Sequence, residues 1–327
     1  MFLLGDGDTM ADQGSKLTLP LPRDFNLGST VCSYGYFLLA PNYWDKKNQC
    51  LCHTFGDFSG TDQRVKVRVK QSVKQKKLII DCDQKVRRGW AEEIKGRLIR
   101  ILRVDMDMQP WFKLFPKAKK EGYGRLYRCG TLWEDLVKTM TSCNVTWPGT
   151  VRMNELLCRR VGEGAFPSPK QILAFSEDRL QARCRLGYRA KRIYRLAQNI
   201  VSGDLDLGWF EEPGRTAKEL YKAIKKIYGL GDFSAHNVLQ LLGHFQHVPI
   251  DTETYRHFRQ VHRKIIPEGG KALRRCDQEI LDHYQPYQPY AFLAYWYELQ
   301  QGYQAKTGNP QDWPALSSAS FTAKNLG

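Results

Sequence analysis

The chain reads as an α+β protein, with an N-terminal antiparallel β-sheet domain followed by an all-helical domain. Three observations predict this. Arg64 to Lys70 alternates basic and apolar side chains with period two, the pattern of a half-buried strand. Leu78-Ile79-Ile80 follows a polar, lysine-rich turn, so the two runs pair as a hairpin. From about Pro110 the apolar spacing lengthens to three and four residues, as in amphipathic helices.

Taken in order, residues 1–19 are polar and rich in Gly and Asp, and read as a disordered tail. Residues 20–109 form the β-rich domain. Within it, Val31 to Leu39 is dense in β-formers, lies between Asn and Pro turn residues, and is expected as a strand. The lysines of the Arg64–Lys70 run serve as a solvated face, as a DNA contact, or as protection for a sheet edge. Residues 110–308 form the helical domain. Its expected helices are Thr131–Thr141, Met153–Val161, Pro169–Ala174, Lys191–Ser202, Thr216–Ile227, Ser234–Leu242, Thr252–Val261, Lys271–Tyr284 and Tyr290–Thr307. Residues 309–327, rich in Ser and Ala, read as a second disordered tail.

At 327 residues the chain has ample length for buried cores. Lys and Arg total 50 against 34 Asp and Glu, leaving +16. That excess suits a polyanion, because each phosphate contact releases counterions, although an RNA or a membrane surface would satisfy it too. The nine cysteines are spaced without a disulfide framework, and Cys50 and Cys52 are too close for a CxxC metal site. Reduced thiols and an intracellular compartment are expected. The N-terminus has neither the basic region of a signal peptide nor a span of membrane length.

The most specific stretch is Ile227-Tyr228-Gly229-Leu230-Gly231-Asp232-Phe233, between two helical patterns and followed by Val248-Pro249-Ile250-Asp251. Gly229 and Gly231 allow a tight turn whose N–H groups face outward beside a helix N-terminus, a grip suited to a phosphate. This arrangement resembles the helix-hairpin-helix DNA glycosylases. The resemblance implies that Gly229, Leu230 and Gly231 hold duplex DNA and that Asp251 drives base excision. A carboxylate there would stabilise positive charge building on the sugar and activate water. Asp251 also suits a helix N-cap, and amides donated to it would keep it ionised. Where bifunctional members carry a nucleophilic lysine, this chain has Phe233, which cannot form a Schiff base. A monofunctional enzyme is implied, with another lysine such as Lys191 as the alternative nucleophile. The clustered cysteines of iron–sulfur members are missing.

A second resemblance covers Gly187-Tyr188-Arg189-Ala190-Lys191, similar to a segment of the 8-oxoguanine glycosylase branch. It implies that Tyr188 fills the gap left by a flipped nucleotide and that Arg189 contacts the opposite base, with Lys191 near a phosphate. Met140 to Val145 is similar to the family's gap-entering segment, which points to Asn144; a turn residue is the other reading. Phe166-Pro167-Ser168-Pro169 matches a structural turn in which Ser168 caps the next helix. Phe233, His236, Asn237, Phe292 and Trp296 are the candidates for a base pocket, with core packing as the alternative for the aromatics.

The expected protein is thus a monomeric DNA glycosylase acting where the DNA is, in the nucleus of a eukaryotic cell, and not at a membrane. It needs no organic cofactor, although a monovalent or divalent cation on the carbonyls of Gly229 and Gly231 is compatible with the turn. Its alternative is a glycosylase-derived reader of modified or abasic DNA that does not cut.

Overall fold

The computed structural model describes residues 14–58, 61, 63–262 and 270–313. The alternating run builds the centre of the sheet. Val65, Val67 and Val69 turn inward on β4 (Val65–Ser72), while Lys66 is exposed. Around it, in chain order, are β1 (Lys16–Pro20), α1 (Leu27–Val31), β2 (Tyr43–Asp45), β3 (Cys50–Phe55) and β5 (Lys77–Cys82). All pairings are antiparallel, in the order β1-β5-β4-β3-β2, with Val69 opposite Ile80.

The helices follow: α2 (Arg88–Leu102), α3 (Gln109–Leu114), α4 (Pro116–Glu121), α5 (Leu132–Ser142), α6 (Trp147–Arg160), α7 (Pro169–Leu173), α8 (Glu177–Cys184) and α9 (Arg189–Ser202). After them come α10 (Leu207–Glu211), α11 (Ala217–Lys226), α12 (Asp232–Leu241), α13 (Thr252–Val261), α14 (Gly270–Tyr284) and α15 (Ala291–Thr307). Among the described residues no helix is long and apolar enough to cross a membrane. All nine cysteines are free thiols.

Several expectations are corrected. Val31 to Leu39 is not a strand: α1 ends at Val31 and a 3₁₀ turn occupies Gly35–Leu38. All nine residues are buried, so the run has no solvent face to impose a two-residue period. β4 lies inside the sheet, so its lysines guard no edge. The tail expected through residue 19 gives way to β1, which pairs with β5; residues 1–13 lie outside the described ones. The tail expected from 309 is ordered through Trp313, whose indole is buried and donates to the Thr307 carbonyl at 3.1 Å; residues 314–327 lie outside. Helix α2 was unexpected, although Ala91, Ile94, Leu98 and Ile101 carry helical spacing.

Packing does not follow chain order. One apolar cluster gathers the sheet, α2 and residues of α15, and a second takes residues 132–239. The helical stretch expected at 110–308 is therefore shared between two cores. Buried arginines join them. Arg100 pairs with fully buried Asp135 of α5 at 2.8 Å and with Glu211 of α10 at 2.8 Å. Arg103, at the left-handed end of α2, donates to the carbonyls of Leu126 (2.7 Å), Gln240 (2.8 Å) and Leu241 (3.0 Å). Arg128 adds a bond to Leu241 at 2.9 Å. The last carbonyls of α12, which a helix cannot satisfy internally, are thus capped by cations from the sheet side.

Arg103→Leu should leave the Leu126 carbonyl without its donor and take one donor each from the Gln240 and Leu241 carbonyls, lowering unfolding stability by ~1–3 kcal/mol, read from urea denaturation. A loss below the error of that measurement would mean that the arginine does not hold the two cores together.

Candidate functional site

The turn between α11 and α12 is set by its two glycines in different ways. Helix α11 begins with a reciprocal Thr216–Glu219 capping box and ends at Lys226. Gly229 has φ +90°, in the left-handed region, and a β-carbon there would lie 2.4 Å from Cδ of Arg192. Both conformation and space demand glycine. Gly231 is the N-cap of α12 with φ −94° and open space around it. What glycine supplies there is a helix start without a side-chain cap, which leaves the first-turn N–H groups available to an outside acceptor. Leu230 is buried in the second core and anchors the turn from inside, so its side chain is not a DNA contact. Tyr221 and Lys225 of α11 both donate to Asp232 Oδ1, at 2.6 Å each, which ties the two helices together.

Three predicted contact segments meet at this turn. Asn144 is exposed at φ +50°, a left-handed conformation that Asn tolerates. The Arg189 guanidinium donates to the carbonyls of Cys143 and Asn144, the latter at 3.1 Å. Cys143 Sγ lies 3.2 Å from Ser234 Oγ in the first turn of α12. Tyr188 is 49% exposed, and its ring carries the guanidinium carbons of Arg189 and Arg192 at 4.5 and 4.6 Å from its centroid. Arg192 in turn covers Gly229. Lys191 is exposed beside them. Residues 143–144, 188–192 and 229–234 thus form one cationic surface with an aromatic ring at its edge. Sequence reasoning missed the part of Arg192, whose Gly229 contact only the fold creates. Arg189 is only 7% exposed here and holds the 143–144 loop, a positioning part rather than a free donor for an opposite base.

Asp251 caps α13. Its Oδ1 accepts from the Glu253 amide (3.0 Å), the Thr254 amide (2.9 Å) and the Thr254 hydroxyl (3.0 Å). The Thr254 hydroxyl also stands 3.1 Å from the Tyr295 hydroxyl. The amides were expected to hold the acid low. Instead, burial raises its pKa above the ordinary aspartate value, and the Thr254 and Glu253 donors offset this only in part. Its charge also acts on Tyr34 and Tyr295, whose ionisation it opposes. Neither tyrosine was singled out from sequence. Thr254 was legible as the third residue after a cap.

The candidate pocket residues divide. Trp296 is partly exposed; its indole N–H donates to the Ser33 carbonyl at 2.7 Å, and its ring lies 4.8 Å from Tyr34. Phe292 stacks on Trp296 with an interplanar angle of 12° but is buried, which makes it core. Asn237 is corrected to a structural part: it accepts from Tyr34 at 2.5 Å and donates to Thr139 at 3.0 Å and Tyr36 at 3.2 Å. His236 stacks with both Tyr221 and His247, and burial lowers its pKa. Phe233 is half-buried in the first turn of α12. A cavity of 270 Å³ lined by Ser29, Cys32, Gln300 and Gln311 contains none of these residues.

The turn, the capped acid and the cationic surface fall within one stretch of the chain. Residues 137–264, which carry all three, match the model of the HhH-GPD superfamily base excision DNA repair proteins. This region belongs to the HhH-GPD superfamily. Among solved structures the chain is similar to MBOgg1 in complex with a low-affinity DNA ligand, at 21% identity and TM-score 0.63, covering 89% of this chain and 97% of that one. It is similar to the apo 8-oxoguanine glycosylase/lyase of Clostridium acetobutylicum at 17% identity and TM-score 0.62, covering 88% and 99%. The 3-methyladenine DNA glycosylase of Archaeoglobus fulgidus aligns at 15% identity and TM-score 0.64, covering 87% and 98%. These likenesses establish a common fold that spans the sheet as well as the helices. No curated relative matches the chain.

Because the folded Asp251 carboxyl takes up its proton more readily than the unfolded one, its charge costs stability above the ordinary carboxylate range. Asparagine keeps the cap without the charge. Asp251→Asn should therefore melt at or a few degrees above the native protein at pH 7, and the gap should close as pH falls toward about 4. Thermal melts across that range check it; a lower melting point at pH 7 would show that the carboxylate stabilises the fold.

Proposed function

We propose that the protein is a monofunctional DNA glycosylase that flips a damaged or modified base out of duplex DNA and hydrolyses its N-glycosidic bond. The observation that carries this reading is Asp251: a largely buried acid held by two helix amides and a hydroxyl, following the helix that starts at the Gly229-Leu230-Gly231 turn. As the bond between C1′ and the base nitrogen stretches, the leaving base takes the bonding electrons and the sugar becomes cationic. The Asp251 carboxylate stabilises that charge, and water then bonds to C1′ as the acid accepts its proton. Keeping a charged acid in a buried place costs stability, which is reasonable where the charge is complementary to a transition state.

The turn and the first-turn amides of α12 would hold one strand, Tyr188 would enter the gap and Trp296 would stack on the extruded base. A cation, if part of this grip, would rest on the Gly229 carbonyl, since the Gly231 carbonyl already accepts from Ala235 at 2.9 Å. Phe233 offers no amine for attack on C1′, so the product is an intact abasic site. The names of the aligned enzymes support oxidised or alkylated purines as first substrates to try.

A panel of single-lesion duplexes, scored for base release and then cleaved with alkali, tests the proposal. The native protein should release one class of base, and Asp251→Asn should lose at least about a hundredfold in rate while still binding the duplex. Binding without release from any lesion would favour the non-cutting reader. A covalent adduct trapped with borohydride would refute the monofunctional assignment. Separately, Lys191→Ala should weaken binding equally across sequences and reduce the slope of log K against log salt by about 0.9; an unchanged slope would place Lys191 away from the phosphates.

A further inference from the structure

At the far end of α13 from Asp251, α13 and α14 bring imidazoles around one carboxylate of α15. His257 Nε2 lies 3.2 Å from Glu298 Oε1, and His262 Nε2 lies 2.7 Å from the same oxygen. One donor atom from each of the three residues falls within 4.8 Å of the others. His283 of α14 reaches to 3.9 Å from the second carboxylate oxygen. His257 lies on α13, His262 caps its end, and Glu298 belongs to α15.

We infer that His257, His262 and Glu298 form a zinc site that staples α13 to α15, with His283 or water completing a tetrahedron. Two imidazoles and a carboxylate are a zinc donor set, and ligands at ~2.0–2.2 Å on a tetrahedral ion stand about 3.3 Å apart. The His257–Glu298 separation already fits, and the His262–Glu298 pair would open by roughly 0.6 Å or more to reach that spacing. A hydrogen-bonded ion cluster explains the group less well. His262 Nε2 is buried and has no hydrogen-bond partner, although it sits 2.7 Å from a carboxylate oxygen. The two atoms are close without the alignment of a donor and an acceptor, so a hydrogen bond does not account for the contact. The surroundings suit a metal. Tyr284 donates to Glu298 Oε2 at 3.1 Å and orients the carboxylate, while Phe258 packs 4.4 Å from the His262 ring and excludes water. Such an ion would fix the end of the helix whose other end is capped by Asp251. The inference concerns metal binding and does not rest on glycosylase activity.

The full chain, stripped with a chelator and titrated with zinc against a chromophoric indicator, should take up one zinc per chain. Zinc should raise the thermal midpoint, and cobalt should give the visible absorption of a tetrahedral nitrogen–oxygen site. Glu298→Gln and His262→Ala should each weaken zinc binding by about tenfold or more. The double variant Cys50→Ser/Cys52→Ser, which alters the other close pair of soft ligands, should keep the zinc and its cobalt spectrum. Less than stoichiometric uptake by the native chain, undiminished affinity in both site variants, or loss of zinc in the cysteine variant would overturn the assignment.

Discussion

The C-terminus of α12 is the point on which the rest of the site depends. A helix end leaves carbonyls without partners, and here Arg103 and Arg128 supply the missing donors from the sheet side. The capped end fixes the helix in position and direction. Its uncapped start at Gly231 then points outward, and the loop after it delivers Asp251 to the beginning of α13. Weakening the arginine contacts would displace both the proposed phosphate grip and the acid. The ten residues of α12 therefore separate two jobs: one terminus is finished inside the protein, and the other is left for a partner.

The acid illustrates how two opposing effects are resolved. A capping carboxylate is normally held low by the amides it accepts, whereas burial favours the neutral form. For Asp251 burial prevails. The residue sits next to a core that contains Tyr34 and Tyr295, and partial burial reduces the water that would solvate its charge. An environment that raises the free energy of the carboxylate while leaving it hydrogen-bonded is suited to stabilising a developing cation. The same environment is a poor choice for stability alone, the trade expected of the catalytic role we propose for Asp251.

The basic surface has an internal logic too. Arg189 spends its guanidinium on the Cys143 and Asn144 carbonyls, and Arg192 lies over Gly229 and Tyr188. Some of the +16 excess is therefore structural scaffolding for the contact loops, and residues such as Lys191 supply the exposed charge. Polar atoms that might have read a base are likewise consumed internally: Asn237 knits Tyr34, Tyr36 and Thr139 together.

By itself the sequence determined the elements with strong periodicity and distinctive punctuation: the β4–β5 hairpin, the helices from α5 onward other than α8 and α10, the Gly-Leu-Gly turn and the cap at Asp251. Each depends on residues within about ten positions of one another, so local patterns suffice. Only the tertiary structure decided the remainder. Val31 to Leu39 folded as helical turns, and with every residue buried the run carries no alternation to tell a strand from a helix. Tyr34 came to Asp251 from 217 positions away, the difference between their residue numbers, and Glu298 met His257 across a helix boundary. The direction of the Asp251 pKa likewise followed from packing, because desolvation is a property of what surrounds a residue and a capping motif specifies only what is bonded to it.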